Sequence, residues 1–178
     1  MMRRLIFGLT AAALAVTTVA APALAAAGAK PGNATIIDIV LAPDGEFDVL
    51  QAAVVEAGLV GALSSTDHNY TVFAPTDAAF VTTFEGLLAA DLTEQDVIAF
   101  IGAGGVDAAF GDGALADILL FHVTNGRRTS TPVLAAPGYQ MLNGDRLTRS
   151  QLLSAGVVAT DISASNGVVH VIGSVLLP

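Results

Sequence analysis

The sequence predicts an α+β domain, with helices gathered in its first half and hairpins in its second. Three features carry that expectation. Phe47, Leu50, Val54 and Ala57 recur at steps of three and four, the period of one helix face. Tyr70-Thr71-Val72-Phe73-Ala74 reads as a strand, and behind it Pro75 with Thr76 or Asp77 supplies the residues that open a helix. Asn125-Gly126, Asn143-Gly144 and Asn166-Gly167 separate β-rich segments, and Asn-Gly is the strongest short-range hairpin signal.

The chain begins with a basic head, Met1-Met2-Arg3-Arg4, and an uncharged apolar run from Leu5 to Ala20. Ala23-Leu24-Ala25 then places small residues at the positions a signal peptidase inspects. Residues 1–25 are therefore expected to be a cleaved signal peptide, with Ala27 as the alternative cut, and residues 26–32 a short breaker-rich linker. The rival is a membrane anchor, which the Ala- and Thr-rich run and its cleavable end disfavour. No other segment approaches the ~20 consecutive apolar residues of a membrane helix. Residues 33–178 are expected to form one domain.

Within it, Thr35–Leu41 reads as a short apolar helix or turn stopped by Pro43-Asp44-Gly45. Glu46–Ala57 is a helix stopped by Gly58. Leu59–Leu63 is a second small apolar piece. A helix beginning at Ala78 follows the 70–74 strand, and Thr93-Glu94-Gln95-Asp96 opens another, with acidic residues at its positive end. Ile101–Gly113 is Gly-rich and reads as a loop. Ala114–Leu120 is helical, and Tyr139–Leu142, Leu147–Leu152, Val157–Ser163 and Val168–Ile172 read as strands. In the last of these, Val168, His170 and Ile172 share one face while Val169 and Val171 share the other. Apolar residues on both faces imply a strand covered on both sides.

Composition narrows the function. The whole chain has a formal charge of −9, and losing Arg3 and Arg4 with the leader takes it to −11. Such a surface repels phosphate backbones and anionic membranes, so no nucleic-acid partner is expected. The pairs Arg127-Arg128 and Arg146/Arg149 read as solvated basic spots. With no cysteine there is no disulfide framework, thiol nucleophile or lipoprotein anchor, so the core alone must hold an exported domain.

Three stretches resemble one family. Thr71–Phe80 (TVFAPTDAAF) looks like the first signature of the fasciclin-like, or FAS1, domains. Asn166–Ile172 (NGVVHVI) with Leu176-Leu177-Pro178 looks like the second, and Leu119–Val123 sits where the family has a Tyr-His pair. Phe47–Leu50, Ala57-Gly58-Leu59 and Leu142-Asn143-Gly144 also match, so the resemblance covers about residues 33–178. Phe121 departs from the usual tyrosine, Asn125-Gly126 from Pro-Gly, and the 101–113 insert is longer. The resemblance implies a FAS1 fold: a wedge-shaped antiparallel β-sandwich of about seven strands with helices packed on one side. It also implies adhesion or extracellular interaction. In animal relatives an Asp-Ile pair just upstream of the second signature is associated with integrin binding, and Asp161-Ile162 occupies that position here.

His68, His122 and His170 are scattered without metal-ligand spacing, and His68 lies in a polar loop. No G-x-S-x-G elbow exists. Asp44, Glu46 and Asp48 alternate like a calcium loop, but Val49 stands at its glycine position and the final acidic ligand is missing. Gly102–Gly105 follows no clear strand and lacks the Lys of a phosphate cradle. Asn33-Ala34-Thr35 and Asn69-Tyr70-Thr71 match the glycosylation sequon. The expectation is thus an exported, non-catalytic adhesion or interaction module for a protein or polysaccharide, without metal or cofactor. Asp161, Ile162, His122, Thr76 and Asp77 are its expected partner contacts, although helix capping explains Thr76 and Asp77 equally. Phe73, Pro75, Asn166, Gly167 and His170 are expected to be structural. Alternatives are a small-ligand or lipid-binding envelope protein with an apolar groove, and an exported hydrolase with converging carboxylates or a Ser-His pair.

Overall fold

A computed structural model describes residues 33–43 and 45–178. The expected signal peptide and linker, and Asp44, lie outside the described residues.

Helix starts follow the side chains that cap them. Thr35 and Asp38 form a reciprocal capping box at α1 (Ile36–Val40), and Thr93 and Asp96 form another at α5 (Glu94–Gly102). Helix α2 (Asp48–Glu56) buries Val49, Leu50, Ala53 and Val54, the face the periodicity indicates. A short α3 (Val60–Ser64) leads to β1 (Tyr70–Pro75), which ends where Pro75 pairs with Ile172. The Thr76 hydroxyl accepts the Ala79 amide at 3.3 Å and caps α4 (Asp77–Leu88).

The expected loop at 101–113 instead holds α6 (Gly105–Phe110). Gly104 (φ +68) and Gly113 (φ +83) are turn residues ahead of α6 and α7 (Ala114–Leu120). Next come β2 (Val123–Asn125), α8 (Ser130–Ala135), β3 (Gly138–Gln140), β4 (Arg146–Thr148), α9 (Arg149–Ser154), β5 (Val157–Ala164) and β6 (Gly167–Ile172). The expected strand at 147–152 therefore splits after Thr148, because Thr148 and Gln151 make a capping box that starts α9. Asn143-Gly144 turns β3 into β4, and Ser165-Asn166 turns β5 into β6. Asn125-Gly126 closes no hairpin; the chain leaves β2 there for α8.

The α+β class holds, and the sheet is mixed. Its order is β2-β1-β6-β5, with the central β1–β6 pair parallel and the flanking pairs antiparallel. The β3–β4 ribbon makes a second, two-stranded sheet. The described residues hold six strands against the expected number of about seven, and the central pair departs from antiparallel order. Parallel pairing is possible because everything from α4 to β5 separates β1 from β6 in the chain.

Both faces of the sheet are covered. Val72, Ala74, Val169 and Val171 join the core under α1, α2 and α4–α7. Phe73 and Ile172 point the other way, into a second core with Phe121, Tyr139, Met141, Leu147, Leu152 and Leu176. Helices α8 and α9 accompany the ribbon on that second face, so helices lie on both sides rather than one. Truncating a buried aromatic such as Phe73 costs about 3–5 kcal/mol.

Candidate functional site

Strand β5 is the edge beside β6, and its register slips between Val157 and Ala159 and again between Ala159 and Ile162. Asp161 falls in the second slip with φ +62, a left-handed conformation that Asp tolerates better than most side chains. Its carboxylate turns toward the start of α8, accepting the Ser130 amide at 2.8 Å and the Ser130 hydroxyl at 2.5 Å. Those bonds hold its pKa below the ordinary carboxylate value, with the neighbouring His170 a smaller influence. Ile162 turns inward and packs half-buried on the first core.

His170 lies directly behind this bulge, 1% exposed. Its Nδ1 accepts the Asp161 amide at 3.3 Å, so the ring proton sits on Nε2 and donates to the Arg128 carbonyl at 3.0 Å. The ring also stacks on Phe73, with centroids 5.7 Å apart. The Arg127-Arg128 segment is stapled from several sides. Thr71 Oγ1 donates to the Gly126 carbonyl and accepts the Arg128 amide. Arg128 covers the Tyr139 ring at 5.0 Å, and Arg127 donates to the Ala164 carbonyl and the Ser163 hydroxyl. Both arginines remain exposed, as expected, and they also tie the end of β2 to β5.

His122 is 3% exposed and holds the opposite tautomer. Nδ1–H donates to the Ile118 carbonyl at 2.7 Å, and Nε2 accepts the Leu176 amide at 2.9 Å. Burial lowers its pKa to about 4, against the opposing pull of the Ile118 carbonyl. It is therefore neutral around pH 7, and in this conformation it has no surface for a partner.

Asp77, 7% exposed, accepts the Asp48 and Val49 amides at 3.1 and 2.9 Å and so caps α2 from α4. Asp48, Asp77 and Glu94 bring carboxylate oxygens within 4.8 Å of one another. Each is the first residue of its helix, so the positive ends of α2, α4 and α5 meet at this point and favour negative charge. Partial desolvation, then Asp77 and Asp48, raise the pKa of Glu94. Three oxygen donors are a minimal set for a hard cation, but helix-end electrostatics accounts for them without one.

Asn166, 1% exposed, is the other central fastener. Its Oδ1 accepts the Ile36 amide at 2.8 Å, while Nδ2 donates to the Leu63 and Ser65 carbonyls at 2.7 and 2.9 Å. A Cβ on Gly167 would strike the Tyr70 carbonyl, so only glycine allows β6 to start against β1. Pro75 and Phe73 are buried in β1. Among the described residues every buried side-chain nitrogen and oxygen has a partner.

Of the expected partner contacts, then, Asp161 is exposed, Ile162 and Thr76 are half-buried, and Asp77 and His122 are buried. They are held by separate sets of partners. The carboxylate cluster escaped the sequence reading because its members are far apart in the chain. Its signal was an acid at the first position of each helix.

A mixed sheet covered on both faces, with its buried histidines, asparagine and aspartate used as ties, defines a small α+β domain built around polar fasteners. Residues 45–178 match the model of the Fasciclin domain, and the chain belongs to that family. It is 34% identical over 154 residues to "Protein sll1483" of Synechocystis, covering 81% of this chain and 73% of that protein. "Uncharacterized protein sll1735" of the same organism is 30% identical, with 80% and 96% covered. The pig "Transforming growth factor-beta-induced protein ig-h3" is 34% identical over 83% of this chain, but over only 20% of its own length. In fold, the chain is similar to a FAS1 domain pair from the insect cell adhesion molecule Fasciclin I, with a TM-score of 0.55, 15% identity, and 83% and 52% of the two chains covered. Among the described residues no helix is long and apolar enough to cross a membrane.

Proposed function

We propose that the chain is an exported, non-catalytic interaction module that binds a protein or polysaccharide outside the cytoplasm through the β5 edge around Asp161-Ile162. The observation that carries this reading is the bulge itself. It holds Asp161 at the surface in a strained backbone conformation, fixed from behind by His170 and from the side by Ser130. Val158, 66% exposed, and Thr160 extend that edge. The irregular register blocks simple strand addition, so recognition there would use side chains rather than main-chain pairing.

A non-catalytic role is supported by how the candidate acids and bases are used. Both buried histidine rings bond main-chain groups, not a serine or carboxylate side chain. The converging carboxylates lie at helix ends, where capping and dipoles explain them. Export is supported by the leader-like first 25 residues.

Charge substitutions Val158→Arg and Thr160→Arg in the full chain test the surface, read by retention on the producer's cell envelope and by cell attachment. The expected result is loss of both with an unchanged melting temperature. Unaltered attachment would contradict the β5 edge as the contact, and the full-length leader persisting in the cytoplasmic fraction would contradict export.

A further inference from the structure

A second surface stands apart from the β5 edge. Three of the large apolar side chains that remain exposed, Leu87 (43%), Phe110 (49%) and Leu177 (41%), line one groove of about 290 Å³ between α4, α6, α7 and the chain's last residues. Ala114 and Ile118 line it as well, and beneath it a small space of about 20 Å³ continues inward between Phe80, Phe84 and Val106. Apolar side chains scattered singly over a surface need no explanation, whereas several converging on one concavity mark a binding site.

The walls are fixed from within. Leu115 donates its amide to Asp107 at 2.9 Å, tying α6 to α7, and the Leu176 amide is held by His122, which places Leu177 at the rim. The groove is therefore a built concavity. Its volume lies at the lower end of small-molecule sites, which span about 300–1,000 Å³, and with its apolar walls it has room for one alkyl chain.

The rim decides the head group. Among the described residues, Asp117 is the one charged side chain lining the groove, and it is exposed. The whole chain is acidic as well, at −9. A carboxylate or phosphate head would meet like charge at the mouth, while an uncharged or cationic head would not. We infer that this groove binds a single aliphatic chain carrying an uncharged or cationic head group.

The test is calorimetric titration of the folded protein with decanol below its solubility limit and with decyltrimethylammonium and decanoate below their micelle concentrations, followed by hexyl to dodecyl members of the best class. Binding is expected for the alcohol and the ammonium and at least about tenfold weaker for decanoate, as one rim charge pair allows. Affinity should rise about fourfold per added methylene and then level off once the groove is full. Ala114→Phe, which fills the groove, should abolish binding while leaving the melting temperature within a few degrees. Asp117→Asn should narrow the gap between decanoate and the ammonium. No binding by any of the three, affinity that climbs with chain length without levelling, or binding unchanged in Ala114→Phe would overturn the proposal. So would concentration-dependent dimerisation abolished by Ala114→Phe without amphiphile binding, which would make a second copy of the chain the occupant.

Discussion

The Leu176 amide donates to Nε2 of His122 across 2.9 Å, and this bond fastens the last segment of the chain to the end of α7. His170 makes the mirror arrangement at β5, with Nδ1 as acceptor and Nε2–H as donor. Two buried histidines with donor and acceptor nitrogens exchanged thus each join two backbone segments that no regular ladder connects. Each ring acts as an adaptor between a stray amide and a stray carbonyl, groups whose burial without a partner is costly.

His122 makes stability depend on pH. Its pKa falls from 6.5 in the unfolded chain to about 4 in the folded one. Between those values the unfolded state binds the extra proton, so stability declines as pH drops from 6.5 toward 4. The full effect is roughly 3 kcal/mol. Urea unfolding midpoints across that window should fall for the native protein and stay flatter in His122→Asn. Equal slopes in both proteins would show that another group carries the effect.

His170→Ala should lower stability by about 1–3 kcal/mol, because the Asp161 amide and the Arg128 carbonyl lose their partner. Thermal melting measures this directly. A variant that keeps its melting temperature but loses partner attachment would reassign His170 from structure to recognition.

Asn166→Ala should cost more, about 3 kcal/mol or above, since one side chain satisfies the Ile36 amide and the Leu63 and Ser65 carbonyls together. Asn166→Asp should be similarly harmful, because a carboxylate accepts but cannot donate to those two carbonyls. Equilibrium unfolding that ranked Asp close to the native residue would contradict the hydrogen-bond assignment.

Glu94→Gln should stabilise the fold slightly, by a few tenths of a kcal/mol after allowance for its partial exposure to solvent. Its raised pKa means that the folded state holds the proton more tightly, so the native chain loses stability as pH rises through the folded value. The gain from Gln should therefore be present at neutral pH and vanish below about 4.5, the ordinary value for this group. Destabilisation at neutral pH would mean that the Glu94 charge is required, and a millimolar calcium titration of the native protein would then be the next measurement.

The sequence showed some elements clearly and hid others for identifiable reasons. The strand-to-helix corner at Phe73–Ala79 was legible because Pro75 and the Thr76 cap are local signals, and the two-faced pattern of Val168–Ile172 correctly indicated a strand covered on both sides. Helix α6 was hidden because it is short, lies among glycines and buries one residue, Val106. Helix α9 was hidden because Leu147 and Leu152, both 1% exposed, read equally well as one apolar strand. The parallel β1–β6 pair leaves no local trace. The groove walls were invisible for the same reason: Leu87, Phe110 and Leu177 come from three distant segments. Asp161 was singled out by resemblance, but its left-handed backbone and its bond to Ser130 required coordinates.

The most direct measurement of the central claim, that the buried histidines tie the fold together, is a nitrogen-detected magnetic resonance titration of His122 alongside the Leu176 amide. The expected result is a ring that remains the Nδ1–H tautomer at neutral pH, titrates near 4, and releases the Leu176 amide to exchange in the same step. A ring that titrates near 6.5 while the Leu176 amide stays protected would contradict it.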